Sequence, residues 1–446
     1  MGKISLSEHF TYQKLLRYSL PSIGNMLVLT SFQVIDGFFV SNLLGVTQLE
    51  SVNLIYPIFM VLQAVGYMFG AGSSAHVSKA LGEGRKGKAR EYFTMAVMAM
   101  IVTGVALGLI CSLLMPALAR LVGASGDTLE HSVAYGRTLM YFLPVFMVNC
   151  AFQTLWITAG KPALGLCISL IYGIGNAFLD WLMMSVFHLG ITGAALATSI
   201  ASSISALVTL QYFFRENPTP LRFSRVSKDS LKQLGNEMAN GSSEMVEGIA
   251  GNFTAILTNR QLLRYVGDLG VVANGVFNYV LAVFMSVFFG ISTTTISVVG
   301  YKAGQKDKQE LNRLLKTNIR LNFTIGAIMT ATAVLLARPL ASVFVGYDAA
   351  ACDLATHVLR ISSIACLFYG FDIMTSSFFT GLGDGATSAL VAVFMALLVP
   401  ITSIYLLPLC FGAQAIWFSA PCSTVVTAIV CAVCIWKIYP RRITSL

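Results

Sequence analysis

Residues 191–234 read ITGAALATSIASSISALVTLQYFFRENPTPLRFSRVSKDSLKQL. The first part, Ile191 to Phe214, carries no charge and is long enough to cross ~30 Å of hydrocarbon as a helix. The second part, Asn217 to Leu234, is the longest polar interruption in the chain, with Pro218, Pro220 and four basic residues, and it falls near the middle of the 446 residues. An apolar span followed by a central basic linker predicts two halves, 1–216 and 235–446, joined by 217–234.

Runs of the same kind recur on both sides of this stretch. With 56% hydrophobic and 11% charged residues and a mean hydropathy of +0.74, the chain has more apolar surface than a soluble core of its length can hide. In lipid every backbone polar group needs an internal partner, so only helices or a closed barrel qualify. The runs lack strict alternation, which selects helices and predicts an all-α integral membrane protein. Twelve spans are expected, near 16–41, 52–80, 91–117, 133–158, 162–187, 191–216, 236–263, 271–300, 315–340, 354–379, 386–409 and 412–437. The first run contains Pro21 and Asp36 and no small-residue cleavage site, so it reads as a retained helix, not a signal peptide.

The net charge of +9 does not point to nucleic acid, because its placement follows a topology. Assigning alternate loops to the cytoplasm gathers Lys3, Lys14, Arg17, Lys79, the Arg85-Lys86-Lys88-Arg90 cluster, Lys161 and Arg215 on one side. Arg222, Arg225, Lys228, Lys232, the group from Lys302 to Arg320, Lys437, Arg441 and Arg442 join them. The positive-inside rule then predicts a multi-pass inner-membrane protein with both termini cytoplasmic. Nine cysteines, including Cys431-Ala-Val-Cys434, sit almost entirely in apolar runs without clustered His, which reads as small packing residues and not as disulfides or a metal site.

Sliding the second half back by 222 positions pairs Gly45 with Gly267, Gly82 with Gly304 and Gly190 with Gly412. Flanking residues match in kind: Ala80-Leu-Gly-Glu-Gly-Arg-Lys faces Lys302-Ala-Gly-Gln-Lys-Asp-Lys, and Thr158-Ala-Gly-Lys-Pro-Ala faces Gly381-Leu-Gly-Asp-Gly-Ala after a one-residue slip. One shift at three separated landmarks predicts an internal repeat of six helices per half, an organisation common among secondary carriers.

Ionisable groups at membrane depth are costly unless paired or wet, so each is a functional suspect. The set is Asp36, Asp180, Glu244, Glu247, Arg260, Arg360 and Asp372. Under the repeat shift Asp36 faces Thr258 and Asp180 faces Thr402, so duplicated scaffolding does not require these two acids. Asn176 lies one turn before Asp180, and Thr198 follows on the next helix. Their oxygens suit a sodium ion or a proton shared between two acids, or else form a polar network that staples three helices. Glu244 and Glu247 share a face, and with Asp372 and nearby Phe, Tyr and Met they are expected to line a cavity for cationic substrate; the alternative for Glu244 is a place near the cytoplasmic surface. His76 lies on a small-residue face and reads as structural, Arg260 snorkels, and Pro21 bends the first helix. No HExxH, Walker loop or GxSxG elbow is present, which argues against an enzyme and against nucleotide-driven transport.

With these residues in view, the chain resembles the multidrug and toxic compound extrusion (MATE) family, in its MepA/DinF-like bacterial branch, within the MOP flippase superfamily. The resemblance rests on Pro21, Val34-Ile-Asp36-Gly-Phe-Phe-Val, Leu44-Gly, Leu81-Gly-Glu-Gly-Arg, Asn176 to Asp180 and Gly190-Ile-Thr-Gly-Ala-Ala-Leu-Ala-Thr198. Asp36, Asn176, Asp180 and Thr198 resemble the family's amino-terminal cation site, and Pro21 its kink proline. Asn252 stands where one sodium-coupled branch has a glutamate, with Glu247 over a turn earlier, and Asp372 resembles that branch's tenth-helix acid.

The resemblance implies an antiporter that exports drugs or organic cations against inward H+ or Na+ by alternating access of two lobes. Its expected substrate cavity holds Glu247, Asn252, Tyr369 and Asp372. No cofactor beyond the coupling ion is expected, and the expected partners are the bilayer and amphipathic or cationic small molecules, with a monomer sufficient. The rival of the same architecture, a flippase for a lipid-linked precursor, requires basic residues in its cavity to hold pyrophosphate.

Overall fold

The computed structural model describes residues 6–444, apart from the side chains of Val46, Lys228 and Asp229; Lys3 of the basic set, and the side chain of Lys228, fall outside the described parts. Secondary structure throughout these residues is helical. In the first half the spans are α1 (Tyr12–Leu44), α2 (Val46–Gly82), α3 (Lys86–Leu121), α4 (Gly126–Tyr141 with Leu143–Thr158), α5 (Pro162–Val186) and α6 (Gly190–Phe214). In the second they are α7 (Lys228–Tyr265), α8 (Asp268–Gly304), α9 (Lys308–Leu335 with Ala337–Val345), α10 (Ala349–Leu382), α11 (Gly385–Phe411) and α12 (Ala413–Thr444).

Among the described residues nine of these helices are each long and apolar enough to cross a membrane. The bent pairs α4 and α9 bring the number to eleven, with bends of 61° and 64°. α7 is 38 residues long, yet Glu237, Asn240, Glu244, Glu247 and Asn252 make it too polar to qualify on composition. It holds its place in the bundle by packing on α2, α3, α8, α10 and α11. The expected twelve helices are all present, and several begin earlier than expected: the bent ones at 126 and 308 and not at 133 and 315, and α7 at 228 and not at 236, inside the expected linker. Their periodic apolar cores are legible in sequence, but the polar first turns at the surface are not.

The repeat glycines have physical reasons. Gly45 (φ 96°) and Gly267 (φ 86°) precede the second helix of each half, in a backbone region that only glycine adopts freely. At the other end of these helices, a Cβ on Gly82 would overlap the carbonyl of Tyr301, and a Cβ on Gly304 would overlap the carbonyl of Lys79. These reciprocal contacts obey the same 222-residue shift. They close a seam between α2 and α8 at the end of the bundle that carries the basic loops. Beside it α2 and α7 touch through Gly72 and Gly241, where a Cβ would meet the backbone of Glu237 and Met68 respectively.

α1 belongs to both halves. It runs unbroken through Pro21. Its first part, Leu15, Tyr18 and Ile23, together with the preceding Leu6 and Phe10, joins a core cluster with Leu311, Leu314, Phe378 and Tyr439 of the second half. Its later part packs on α5, where Phe32 occupies the space a side chain at Gly173 would need. The main first-half core gathers residues of α2 to α6, among them Phe59, Phe93, Phe146, Phe152, Trp156 and Phe213. Cys431 and Cys434 are buried packing residues of the second-half core.

Candidate functional site

Among the described residues each half of the bundle holds a cavity. The first, about 140 Å³, is lined by Asp36 of α1, Asn176 and Tyr172 of α5, Thr198 and Ser202 of α6, and Tyr56 and Tyr67 of α2. Asn176 Nδ2 donates to Thr198 Oγ1 at 3.3 Å, and Thr198 Oγ1 donates to the Ala194 carbonyl at 3.1 Å. Asp180 is fully buried one turn beyond Asn176, and its carboxyl is within hydrogen-bonding reach of Asp36. Asp36 Oδ1 and both Asp180 oxygens lack a donor. The structure therefore brings Asp36, Asn176, Asp180 and Thr198 together from three helices. Like charges held side by side repel, so the arrangement is satisfied by one proton or one small cation between the acids. Directly after Asp180 the helix widens into a π-helical turn, Trp181–Val186, a distortion that often accompanies functional sites.

The second cavity, about 360 Å³, is lined by Glu247, Thr254 and Thr258 of α7, Phe277 and Phe289 of α8, Tyr369 of α10, Met395 of α11 and Trp417 of α12. The residues of α7 in this wall, 247, 251, 254, 255, 258 and 262, follow helical spacing along one face. Glu247 Oε1 accepts a hydrogen bond from Ser376 at 3.1 Å, and Glu244 is its half-buried acidic neighbour. Trp417 is buried with its indole N–H unpaired at the cavity wall. Along α11, Pro400 cannot donate to the helix, a π-helical turn spans Phe394–Leu398, and Thr254 Oγ1 donates to the freed Ala396 carbonyl at 2.7 Å.

Glu247 and Tyr369 line the second cavity. Asn252 and Asp372 line neither cavity, and their expected place there is corrected. Asn252 is five residues on from Glu247, off the lining face, and its amide donates to the Gly248 carbonyl of its own helix at 2.8 Å. Asp372 is fully buried, turned toward Cys431 of α12, with neither oxygen bonded. His76 bonds its own Gly72 carbonyl at 3.0 Å, and Arg260 and Arg360 are exposed. Sequence reasoning missed Glu237 and Trp417. Glu237 sits at the basic linker end of α7, where an acid reads as surface, yet it is 2% exposed. The tyrosines of the first cavity were also missed, because no periodicity separates a polar wall from a packed core.

A model of the MatE family matches residues 21–182 and 245–406, two equal stretches that divide the chain as the glycines do. The multidrug export protein MepA of Staphylococcus saprophyticus is 21% identical over 433 residues, covering 96% of this chain and 94% of that protein. MepA of Staphylococcus aureus is 20% identical over 410 residues, 92% of this chain and 90% of its own length. Among solved structures, an outward-facing multidrug resistance MATE transporter of the MOP superfamily superposes with a TM-score of 0.90 at 22% identity, over 99% of this chain and 97% of that one. A MOP superfamily transporter from Pyrococcus furiosus, described as having a binding pocket of reverse polarity, gives 0.87 at 21% identity over the same shares. The match spans both halves of the repeat: the chain belongs to the MATE family of membrane transporters.

Proposed function

We propose that this chain is a multidrug antiporter that exports amphipathic or cationic small molecules in exchange for inward H+ or Na+. The observation that carries the reading is the unequal pair of cavities. At about 360 Å³ the second falls within the range of small-molecule sites, whereas the first, about 140 Å³, is below it and is lined by Asp36, whose carboxyl lies beside that of the buried Asp180. The small site takes the ion and the large one the substrate. Phe277, Phe289, Tyr369 and Met395 give the larger cavity adaptable apolar walls, and Glu247 supplies the charge that attracts a cation.

In this reading the lobes are 1–216 and 235–446, joined by the cytoplasmic linker 217–234, with the seam closed on the cytoplasmic side and the termini there. An ion entering from outside neutralises the Asp36 and Asp180 pair. Because α1 carries Asp36 at one end and packs into the second half at the other, ion binding alters how the halves meet. For a neutral substrate, inward movement of one positive charge gains ~2.3 kcal/mol per 100 mV, and every ~1.4 kcal/mol supports a tenfold gradient of substrate; for a monovalent cation exchanged one for one the charges cancel and the ion's concentration gradient drives export. An ion with equal affinity for both conformers shifts nothing, so the pair must hold it differently when the seam opens. Among the residues lining the two cavities there is no Lys or Arg, which disfavours a pyrophosphate-bearing lipid as cargo.

The test is dye efflux from proteoliposomes under a sodium gradient alone and then under a pH gradient alone. One of the two drives export of ethidium; failure of both rejects antiport.

A further inference from the structure

A column of buried polar side chains runs through the second half beside the substrate cavity. It starts at Glu247, which accepts from Ser376. Ser376 Oγ lies 3.1 Å from Ser388 Oγ, Ser388 Oγ 2.6 Å from Thr380 Oγ1, and Thr380 Oγ1 3.3 Å from Ser243 Oγ. All four hydroxyl residues are fully buried. Each contact between two hydroxyls can be donated from either side, so the row can carry its O–H bonds in one direction or the other. At its far end Asn240, 3% exposed, donates Nδ2 to the Thr380 carbonyl at 2.9 Å and leaves Oδ1 without a donor. One turn earlier on α7 is Glu237, 2% exposed, with neither carboxyl oxygen bonded. Its carbonyl abuts Gly72 across the seam between the halves.

Two orphaned acceptors one turn apart on one helix are a defect that a single proton repairs. Protonated, Glu237 becomes a donor, and Asn240 Oδ1 is an acceptor of the kind it lacks. We propose that Glu237 is a proton-binding site at the seam, and that the hydroxyl row links it to Glu247 as a second proton path through the transporter. This rests on the antiport reading. While the seam is shut, no hydrogen bond joins Ser243 to Asn240 or Glu237, and this gap prevents leakage. When the seam parts, water reaches Glu237, which ionises and releases its proton to that side. Closing the seam over an unpaired carboxylate is disfavoured, so closure requires a proton again. Glu247 takes one from the second cavity and gives it to Ser376, which passes its own to Ser388, and so along the row and the entering water to Glu237. No proton is gained or lost, and each cycle moves one from the cavity to the seam side.

The other titratable groups of the helices packed against α7 have places of their own. Glu244 adjoins Glu247, Asp372 faces Cys431, and His76 bonds Gly72. Lys79 lies one turn further along α2, Lys302 donates to the Ser7 carbonyl and Gln305, and Arg90 donates to the Pro220 carbonyl. Glu91 accepts from Ser227 and Ser230, and Asp384, which caps α11, is held by Arg442.

The proposal is tested in proteoliposomes by counting protons moved per dye exported, together with infrared difference spectra of the carboxylic C=O stretch. Glu237→Gln is expected to remove one carboxylic acid band and to depress proton-driven efflux about tenfold more than exchange driven by a substrate gradient. Thr380→Val should do the same to transport, and Thr380→Ser, which keeps the hydroxyl, should restore proton coupling. If Glu237→Gln does not fold, the Thr380 pair alone decides. An unchanged proton count in Glu237→Gln, equal transport in the two Thr380 variants, or wild-type efflux driven by sodium with no proton counterflow overturns the path. Failure of antiport itself looks different: neither gradient then drives the wild-type protein.

Discussion

At the scale of single residues, the deciding feature is a carboxyl pair without donors. Asp36→Asn or Asp180→Asn replaces one acid by an amide of the same shape, which removes the proposed ion-binding group while leaving packing intact. Each is expected to lower gradient-driven efflux about a hundredfold or more, with an unchanged melting temperature in detergent. Wild-type efflux in both would reject the first cavity as the ion site. In exchange driven by a substrate gradient, where no proton need move, Glu247→Gln should raise KM for cationic dyes roughly tenfold and leave neutral ones unaffected, since only the former gain from its charge. Equal losses for both classes would show that Glu247 shapes the wall without attracting charge. The residue types were legible in the sequence, because an acid within an apolar run stands out. What lay hidden was direction: Asp372 and Asn252 are as polar as Glu247, yet they turn away from the cavity, and Glu237 is buried at a helix end that reads as surface.

At the scale of elements, the seam depends on backbone meeting backbone. Gly82→Val and Gly304→Val insert side chains where the Tyr301 and Lys79 carbonyls lie, so either variant should hold α2 and α8 apart. Spin labels at Glu83 and Gln305 would then report a longer distance than in the parent protein, and an unchanged distance would show that the seam yields elsewhere. Thr254→Val leaves the Ala396 carbonyl without its donor and should cost about 1 kcal/mol of stability, read from thermal denaturation. The spacing of the glycine pairs is enough to reveal the repeat, but not that one pair answers a positive φ and another a contact between helices.

At the scale of the whole molecule, the turn between α10 and α11 is tied to the end of α12. Asp384, at the turn between α10 and α11, accepts from Arg442 Nε near the C-terminus at 2.7 Å. Burial pushes its carboxyl up, but the Arg442 guanidinium and the Thr387 hydroxyl outweigh that and hold it below the usual carboxylate range. A depressed value means the clasp is fully present above the ordinary carboxyl range and is lost as pH falls through the lowered one. Acidification below about pH 4 should therefore loosen the C-terminal end first, seen as faster amide exchange over residues 437–444. Arg442→Ala should show the same loosening at neutral pH, and protection that stays constant in both cases would remove the clasp from the account.

Hydropathy, turn chemistry and a recurring glycine spacing were enough to determine twelve helices in two halves, because lipid leaves a backbone no other way to satisfy its polar groups and each half repeats the same solution. The resemblance to a transporter family was likewise written in local motifs. Only the tertiary structure decided which polar side chains share a space. That depends on the rotation of each helix about its axis and on contacts between residues hundreds of positions apart, neither of which a linear pattern records. It put Asp36 beside Asp180, turned Asp372 into a dry core, and drew a line of hydroxyls from Glu247 toward the seam.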